Sequence, residues 1–215
     1  MTIKTKICGL STPEAVTAAV NGGACYAGFV FFPPSPRSVA PAQAASLAQR
    51  LTPQVEAVGL FVDPDDDLLG RVLEAVPLDL IQLHGAETPG RVADIHQRTG
   101  RPVMKAIKVA KPEDLAQVKD YAAVVDLLLF DAKAPKSMAG ALPGGNALSF
   151  DWRILAGRQW PKPWMLAGGL TADNIAEAIA ISGAKILDIS SGVESAPGQK
   201  DQQLIRDFLI KVSAL

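Results

Sequence analysis

Short apolar runs alternate with amphipathic stretches along the whole chain. The runs cover residues 4–8, 26–32, 55–62, 79–83, 103–109, 124–130, 163–167 and 186–189. Their near-continuous apolar character suits strands of a sheet buried on both faces. Helical stripes separate them. Thr12-Pro13-Glu14 reads as an N-cap with proline at the first helical position, and Gly22-Gly23 stops that helix. Further helices are predicted over 41–50, from an Asp63-Pro64 cap to about residue 76, and over 89–98, 112–119, 151–155, 171–182 and 201–212. A glycine-rich segment, 139–148, precedes the short 151–155 helix.

About eight strand–helix units follow one another, and no run is a plausible hairpin partner of the next. Parallel strands need crossovers, which the helices supply. Eight such units close an α/β barrel of the (β/α)8 (TIM) type. An open doubly wound sheet is the rival, and it lacks a GxGxxG or GxxxxGK[ST] loop after the first strand. No linker or repeat divides the chain, so residues 1–215 are read as one barrel domain.

In such a barrel the active site lies at the C-terminal ends of the strands. Reactive residue types gather there: Cys8-Gly9, Arg37, His84-Gly85, Asp131, Gly168-Gly169, Asp188 and Ser191-Gly192. Gly168, Gly169, Ser191 and Gly192, on the last two loops, are read as a phosphate cup made of backbone N–H groups. Gly-Gly alone is a weak signal, and tight turns are its plainer meaning. Two glycine loops on adjacent strands strengthen the phosphate reading. On closure the first strand adjoins the eighth, which sets Cys8 beside that cup. Arg37, in a proline frame, could hold a carboxylate in a two-point contact. On its own it would be read as a surface arginine, and Cys8 as a small core residue. Asp131 faces Cys8 across the mouth. Together they describe a ligand with two anionic ends and an acid and a base between them. The period of two puts Lys6 on the same face as Cys8, and Asp188 is its expected partner. Cys25 is read as core, and the three tryptophans as packing groups.

Composition narrows the class. Of 215 residues, 21 are Lys or Arg and 22 are Asp or Glu, giving a net charge of -1 and no footprint for nucleic acid. Two cysteines with no CxxC and no Cys/His cluster argue against a disulfide framework or a metal site. The polar MTIKTK start and the absence of a long apolar stretch lead to an expectation of a cytoplasmic protein with no membrane partner. A monomer is expected, with a homodimer as the alternative.

The chain resembles the phosphoribosylanthranilate isomerase family along nearly its whole length. The resemblance rests on KICGL at 6–10, GFVFFPPSPRSV at 28–39, QLHG at 82–85, LLLFDA carrying Asp131, LAGGL with Asn174 downstream, DISSGVE at 188–194 and GQKD at 198–201. The resemblance implies a cofactor-free, metal-free Amadori rearrangement of the kind used in tryptophan biosynthesis, and with it a small phosphorylated substrate carrying an aromatic carboxylate. By position Cys8 matches the general base, Asp131 the general acid and Arg37 the carboxylate holder. His84 and Asp188 match pocket positions. The family's GGTG stretch reads Gly144-Gly145-Asn146-Ala147 here, and Ala147 is poorly suited to a left-handed backbone.

The chemistry asks each group for its less common form: Asp131 protonated, Cys8 ionised. A nearby cation or helix N-terminus is expected to lower the Cys8 pKa. A phosphosugar epimerase or an indole-glycerol-phosphate synthase would need metal ligands or a catalytic lysine, and the predicted mouth offers one histidine and no evident lysine. A non-catalytic phosphosugar-binding barrel is the remaining alternative.

Overall fold

The computed structural model describes residues 3–135, 137–138 and 140–215. Ala139, at the start of the glycine-rich segment, lies outside them, as do Met1 and Thr2. Eight parallel strands form a closed barrel in sequence order: β1 (Lys4–Cys8), β2 (Tyr26–Phe31), β3 (Glu56–Phe61), β4 (Leu80–Leu83), β5 (Val103–Val109), β6 (Leu127–Ala132), β7 (Trp164–Leu166) and β8 (Ile186–Ile189). The helices between them are α1 (Pro13–Asn21), α2 (Pro41–Ala48), α3 (Asp66–Ala75), α4 (Pro89–Thr99), α5 (Val118–Tyr121) and α6 (Ile175–Ser182), with α7 (Gln202–Ser213) closing the chain. Among the described residues no helix is long and apolar enough to cross a membrane.

Two hydrophobic layers follow from the strand period. Residues such as Ile7, Ala27, Phe29, Ile81, Leu128 and Phe130 point outward and meet the helices. Tyr26, Val58, Leu80, Met104, Ala106, Leu127, Leu129 and Met165 point inward and fill the barrel. Toward the C-terminal ends the inward positions turn polar, as at Lys6, Cys8, Gln82, His84, Asp131 and Asp188. The expected β1–β8 closure is present, with Lys6 opposite Asp188 in register.

Several predicted boundaries move. The sixth strand begins at Leu127 rather than 124, because 122–124 turn and the Asp126 carboxylate accepts the Val103 N–H at 2.9 Å. Asp131 is therefore inside β6, not past its end. Asp65, not Asp63, caps α3, its side chain accepting from Leu68 N. Asp63 is left-handed at φ 46, and its carboxylate accepts the Ala86 N–H at 2.7 Å. The stretch predicted to be helical from residue 112 is 3-10 over Pro112–Gln117 before α5 begins. Likewise 151–155 reduces to a 3-10 turn, Trp152–Ile154. Residues 171–174 form a side-chain-braced turn ahead of α6: Asn174 Oδ1 accepts from Thr171 N and Nδ2 donates to Gly169 O, each at 2.8 Å. A small antiparallel hairpin, β9 (Glu194–Ala196) with β10 (Gln199–Lys200), was not foreseen.

Behind β4 and β5 lies a buried ion pair outside the barrel's mouth. Lys105 Nζ donates to Glu87 Oε2 at 2.6 Å and to Gly85 O at 2.8 Å. The other Glu87 oxygen accepts from Asp63 N and Gly85 N. The pair thereby ties the loops after β3 and β4 together. Burial alone would raise the Glu87 pKa, but the Lys105 ammonium and the backbone donors outweigh it and hold it below its ordinary value of 4.5. A depressed carboxylate stabilises the fold above its unfolded-state pKa and loses that contribution as pH falls through the folded value. Glu87→Gln is expected to destabilise the protein at neutral pH by about 3 kcal/mol, the low end for breaking a buried pair. It should also flatten the loss of stability below about pH 4.5, as read by denaturant unfolding across the acid range.

Candidate active site

The C-terminal ends of the strands surround a cleft of about 770 Å³ of atom-free space, part of it open to solvent. That is within the size range of small-molecule sites. Cys8, Arg37, His84, Asp131, Gly168, Gly169, Asp188 and Ser191 all line it, so eight of the nine residues singled out in the sequence meet there. Gly192 is the exception. It packs behind the wall against the loop after β7, where an added Cβ would lie 1.9 Å from Leu170 O. Its smallness lets the two last loops touch; it does not itself face the cleft. Gly168 and Gly169, at φ +89 and +64, carry the turn that brings their backbone to the wall.

One wall comes from β1 and β8. Lys6 is fully buried and donates to Asp188 Oδ1 at 2.9 Å, which is the predicted pairing. Burial would strip the ammonium of its proton, but Asp188, and then Cys8, outweigh it and raise its pKa. The neighbouring thiol behaves otherwise than expected. Burial pushes the Cys8 pKa up, Lys6 pulls it down, Asp188 pushes it up again, and the net shift is upward. The predicted cation is there, but its charge is shared with a carboxylate in a desolvated site. Ser190 Oγ donates to Cys8 O at 3.1 Å and fixes the end of β1.

The opposite wall comes from β4 and β6. His84 Nε2 lies 3.1 Å from Asp131 Oδ2, and its Nδ1 lies 3.0 Å from Gln82 Nε2. Asp131 Oδ1 accepts the Ala132 N–H at 2.8 Å. His84 is thus an orienter of Asp131 rather than a loop histidine satisfied by backbone. Lys108 stands in register beside Asp131, facing the mouth and half-buried. Burial, then Lys105, lowers its pKa, against the pull of Asp131 and two other carboxylates.

Arg37 is not the free guanidinium that the sequence suggested. Its Nε and Nη2 donate to the two oxygens of Glu194, each at 2.8 Å, and Nη2 also donates to Gly145 O at 3.1 Å. Lys200, within the GQKD motif, has a buried ammonium that pairs with Glu194 and donates to Ser190 O at 3.2 Å. Neither Lys108 nor Lys200 lines the cleft: Lys108 stands beside Asp131 on β5, and Lys200 is paired with Glu194 on the hairpin. Burial works to raise the Glu194 pKa; Arg37 and Lys200 overcome it and leave it lowered. Burial lowers the Lys200 pKa more than Glu194 raises it. Pro197-Gly198, a turn signal, was the available clue to this hairpin. Nothing local linked Glu194 to Arg37, 157 positions away.

The loop after β6 lies over the site. An added Cβ at Gly144 would fall 2.8 Å from His84 Nε2 and 3.0 Å from Asp131 Oδ2; one at Gly145 would fall 2.6 Å from Arg37 Nη1. Asn146 clamps its own loop, accepting from Leu142 N at 3.0 Å and donating to Leu142 O at 2.7 Å. Ala147 nonetheless takes φ +55, the left-handed angle that the sequence made improbable. The clamp supplies a reason: it closes the turn immediately before Ala147.

A thiol, a carboxyl–imidazole pair, an anchored guanidinium and a glycine turn converging at the mouth of a (β/α)8 barrel make up the site of a barrel enzyme. Comparison with known proteins makes this specific. Residues 5–211 match the family model described as N-(5'phosphoribosyl)anthranilate (PRA) isomerase. The chain belongs to that family. The N-(5'-phosphoribosyl)anthranilate isomerase of Paracoccus denitrificans is 58% identical over 214 residues, covering 100% of this chain and 99% of that protein. The phosphoribosyl anthranilate isomerase of Thermotoga maritima superposes with a TM-score of 0.87 at 32% identity, covering 99% of this chain and 100% of that one. A further isomerase structure, in complex with reduced 1-(o-carboxyphenylamino)-1-deoxyribulose 5-phosphate, superposes at 0.84 with 30% identity, covering 99% and 100%.

Lys6→Met removes the cation beside Cys8. Whether Asp188 then stays ionised or takes a proton, the larger downward pull on the thiol is gone. The pH profile of Cys8 alkylation is expected to move to higher pH, with a loss of about 3–5 kcal/mol in unfolding free energy. An unmoved profile would show that Lys6 does not act on the thiol.

Proposed function

We propose that this protein is a phosphoribosylanthranilate isomerase. It converts N-(5'-phosphoribosyl)anthranilate into 1-(2-carboxyphenylamino)-1-deoxyribulose 5-phosphate in tryptophan biosynthesis. The observation that carries this reading is the placement of Cys8 and Asp131 on different walls of one cleft, with Arg37 and the glycine turn at its rim. The matching family model and the solved relative holding a reduced product analogue support the choice of substrate.

The phosphate sits at the loops after β7 and β8, on backbone N–H groups near Gly168, Gly169 and Ser191. The anthranilate carboxylate meets Arg37, whose Nη1 is not used by the bonds to Glu194 and Gly145. Asp131, steadied by His84, gives a proton to the furanose ring oxygen while the aryl nitrogen's lone pair opens the ring to a Schiff base. Cys8 takes the proton from C2 of the sugar. The electrons of that C–H bond become the C1–C2 double bond of an enolamine, which tautomerises to the ketone. Acid–base help at each step is worth roughly two to four orders of magnitude. Because burial leaves the Cys8 pKa raised, the thiolate fraction grows with pH, and turnover should climb as pH rises through neutral.

Following the fading fluorescence of the anthranilate adduct tests the reading. Cys8→Ala and Asp131→Asn should each lower kcat/KM by about 10²–10⁴, and Arg37→Met should act chiefly by raising KM. A near-normal rate in either of the first two variants would remove that residue from its role.

A further inference from the structure

Gln82 has no part in the chemistry above, yet it is fully buried and lines the cleft. It points inward from β4, two residues before His84. Its carboxamide nitrogen lies 3.0 Å from His84 Nδ1, while its oxygen is buried with no hydrogen-bond partner among the described residues. Leaving such an acceptor unpaired costs on the order of 1–3 kcal/mol. It also means that no second contact to that oxygen pins the amide in one orientation. Turning the carboxamide over exchanges a donor for an acceptor in almost the same space.

We infer that Gln82 is a positioning residue whose amide orientation sets whether the His84–Asp131 pair holds one proton or two. This rests on the assignment of Asp131 as the acid. With the amide nitrogen toward His84, an N–H donates to the lone pair on Nδ1. The single ring proton is then on Nε2 and is donated to the Asp131 carboxylate, 3.1 Å away. The pair holds one proton, and Asp131 has none to give. With the amide oxygen toward His84, Nδ1 carries a proton and donates it to Oε1. The Nε2–Oδ2 contact then needs a proton of its own, since two lone pairs would otherwise face each other. The pair now holds two. The other carboxyl oxygen is occupied by the Ala132 N–H, so the second proton sits at Oδ2, between the imidazole and the cleft. That is the proton delivered to the ring oxygen. Its departure lets the amide swing back, and a proton from water restores the loaded state before the next turnover.

The charges around the pair are the same in either orientation. Lys108 flanks Asp131 from β5. Lys6, Asp188 and Cys8 face it from β1 and β8, Arg37 with Glu194 from the loop side, and Asp63 with the Lys105–Glu87 pair lies behind the loop after β4. They set the field, and Gln82 is the polar neighbour in contact with Nδ1.

The test compares pH profiles of kcat and KM for the native protein, Gln82→Glu and Gln82→Met, together with nitrogen NMR of the His84 ring in the ligand-free protein. An ionised glutamate can only accept, so Gln82→Glu favours the two-proton state and should carry the basic limb of kcat about one pH unit upward. Gln82→Met removes both arrangements; it should lower kcat about tenfold with KM little changed, and leave His84 a mixture of tautomers. In the native protein Nδ1 should lose its proton as pH rises along the basic limb of kcat. An Nδ1 that never takes a proton over the active range, a basic limb unmoved in Gln82→Glu, or a native kcat in Gln82→Met would each overturn the inference. Should Gln82→Glu fail to fold, the native spectrum and Gln82→Met still decide. Full turnover by Asp131→Asn would instead overturn the acid assignment itself, which separates the two failures.

Discussion

An ammonium ion sealed inside a protein has to be neutralised where it stands, and the pairing of β1 with β8 provides for that. Lys6 is fully buried, and the register of barrel closure sets it opposite Asp188. A slip of β1 by one residue would turn Lys6 and Cys8 out of the interior and leave Asp188 there without its partner. The seam that closes the barrel and the wall that holds the thiol are therefore one construction. This also explains why Cys8 is not a freely ionised thiolate: its nearest cation already answers to a carboxylate.

Several ionisable groups around the cleft are held by a neighbour on another element. Lys6 has Asp188, Asp131 has His84, and Glu194 is shared by Arg37 and Lys200. Such pairs add little to net stability, because desolvation consumes most of the Coulombic gain. Their effect is directional. A guanidinium bound along one edge to Glu194 presents its remaining donors at a fixed angle, with less side-chain entropy left to lose when a carboxylate arrives.

Much of this arrangement was legible in the sequence. The barrel followed from eight apolar runs separated by helical stripes, and the Lys6–Asp188 contact from the strand period plus closure. The position of Asp131 at the mouth was legible even though its strand was placed three residues early at its start, since the apolar run continued into a turn. What the sequence hid were partners brought together only by the folded chain. Glu194 and Lys200 stood in motifs whose hairpin is too short and polar to be seen as strands. Gln82 stood within the QLHG motif with no partner named, and only the inward face of β4 shows what it touches. The direction of the Cys8 shift was hidden too, since it is the balance of burial, Lys6 and Asp188.

The alanine at φ +55 in the loop after β6 has an effect beyond its own backbone. A left-handed alanine carries roughly 1–2 kcal/mol of steric cost where glycine would carry almost none. In the unfolded ensemble the comparison reverses, because alanine has fewer conformations to surrender, by about 0.4–1 kcal/mol. Strain in one state and lost freedom in the other partly offset, and the Asn146 clamp bears on the adjoining turn. A corner can thus outlive the residue best suited to it, provided that a neighbouring side chain holds the turn that leads into it.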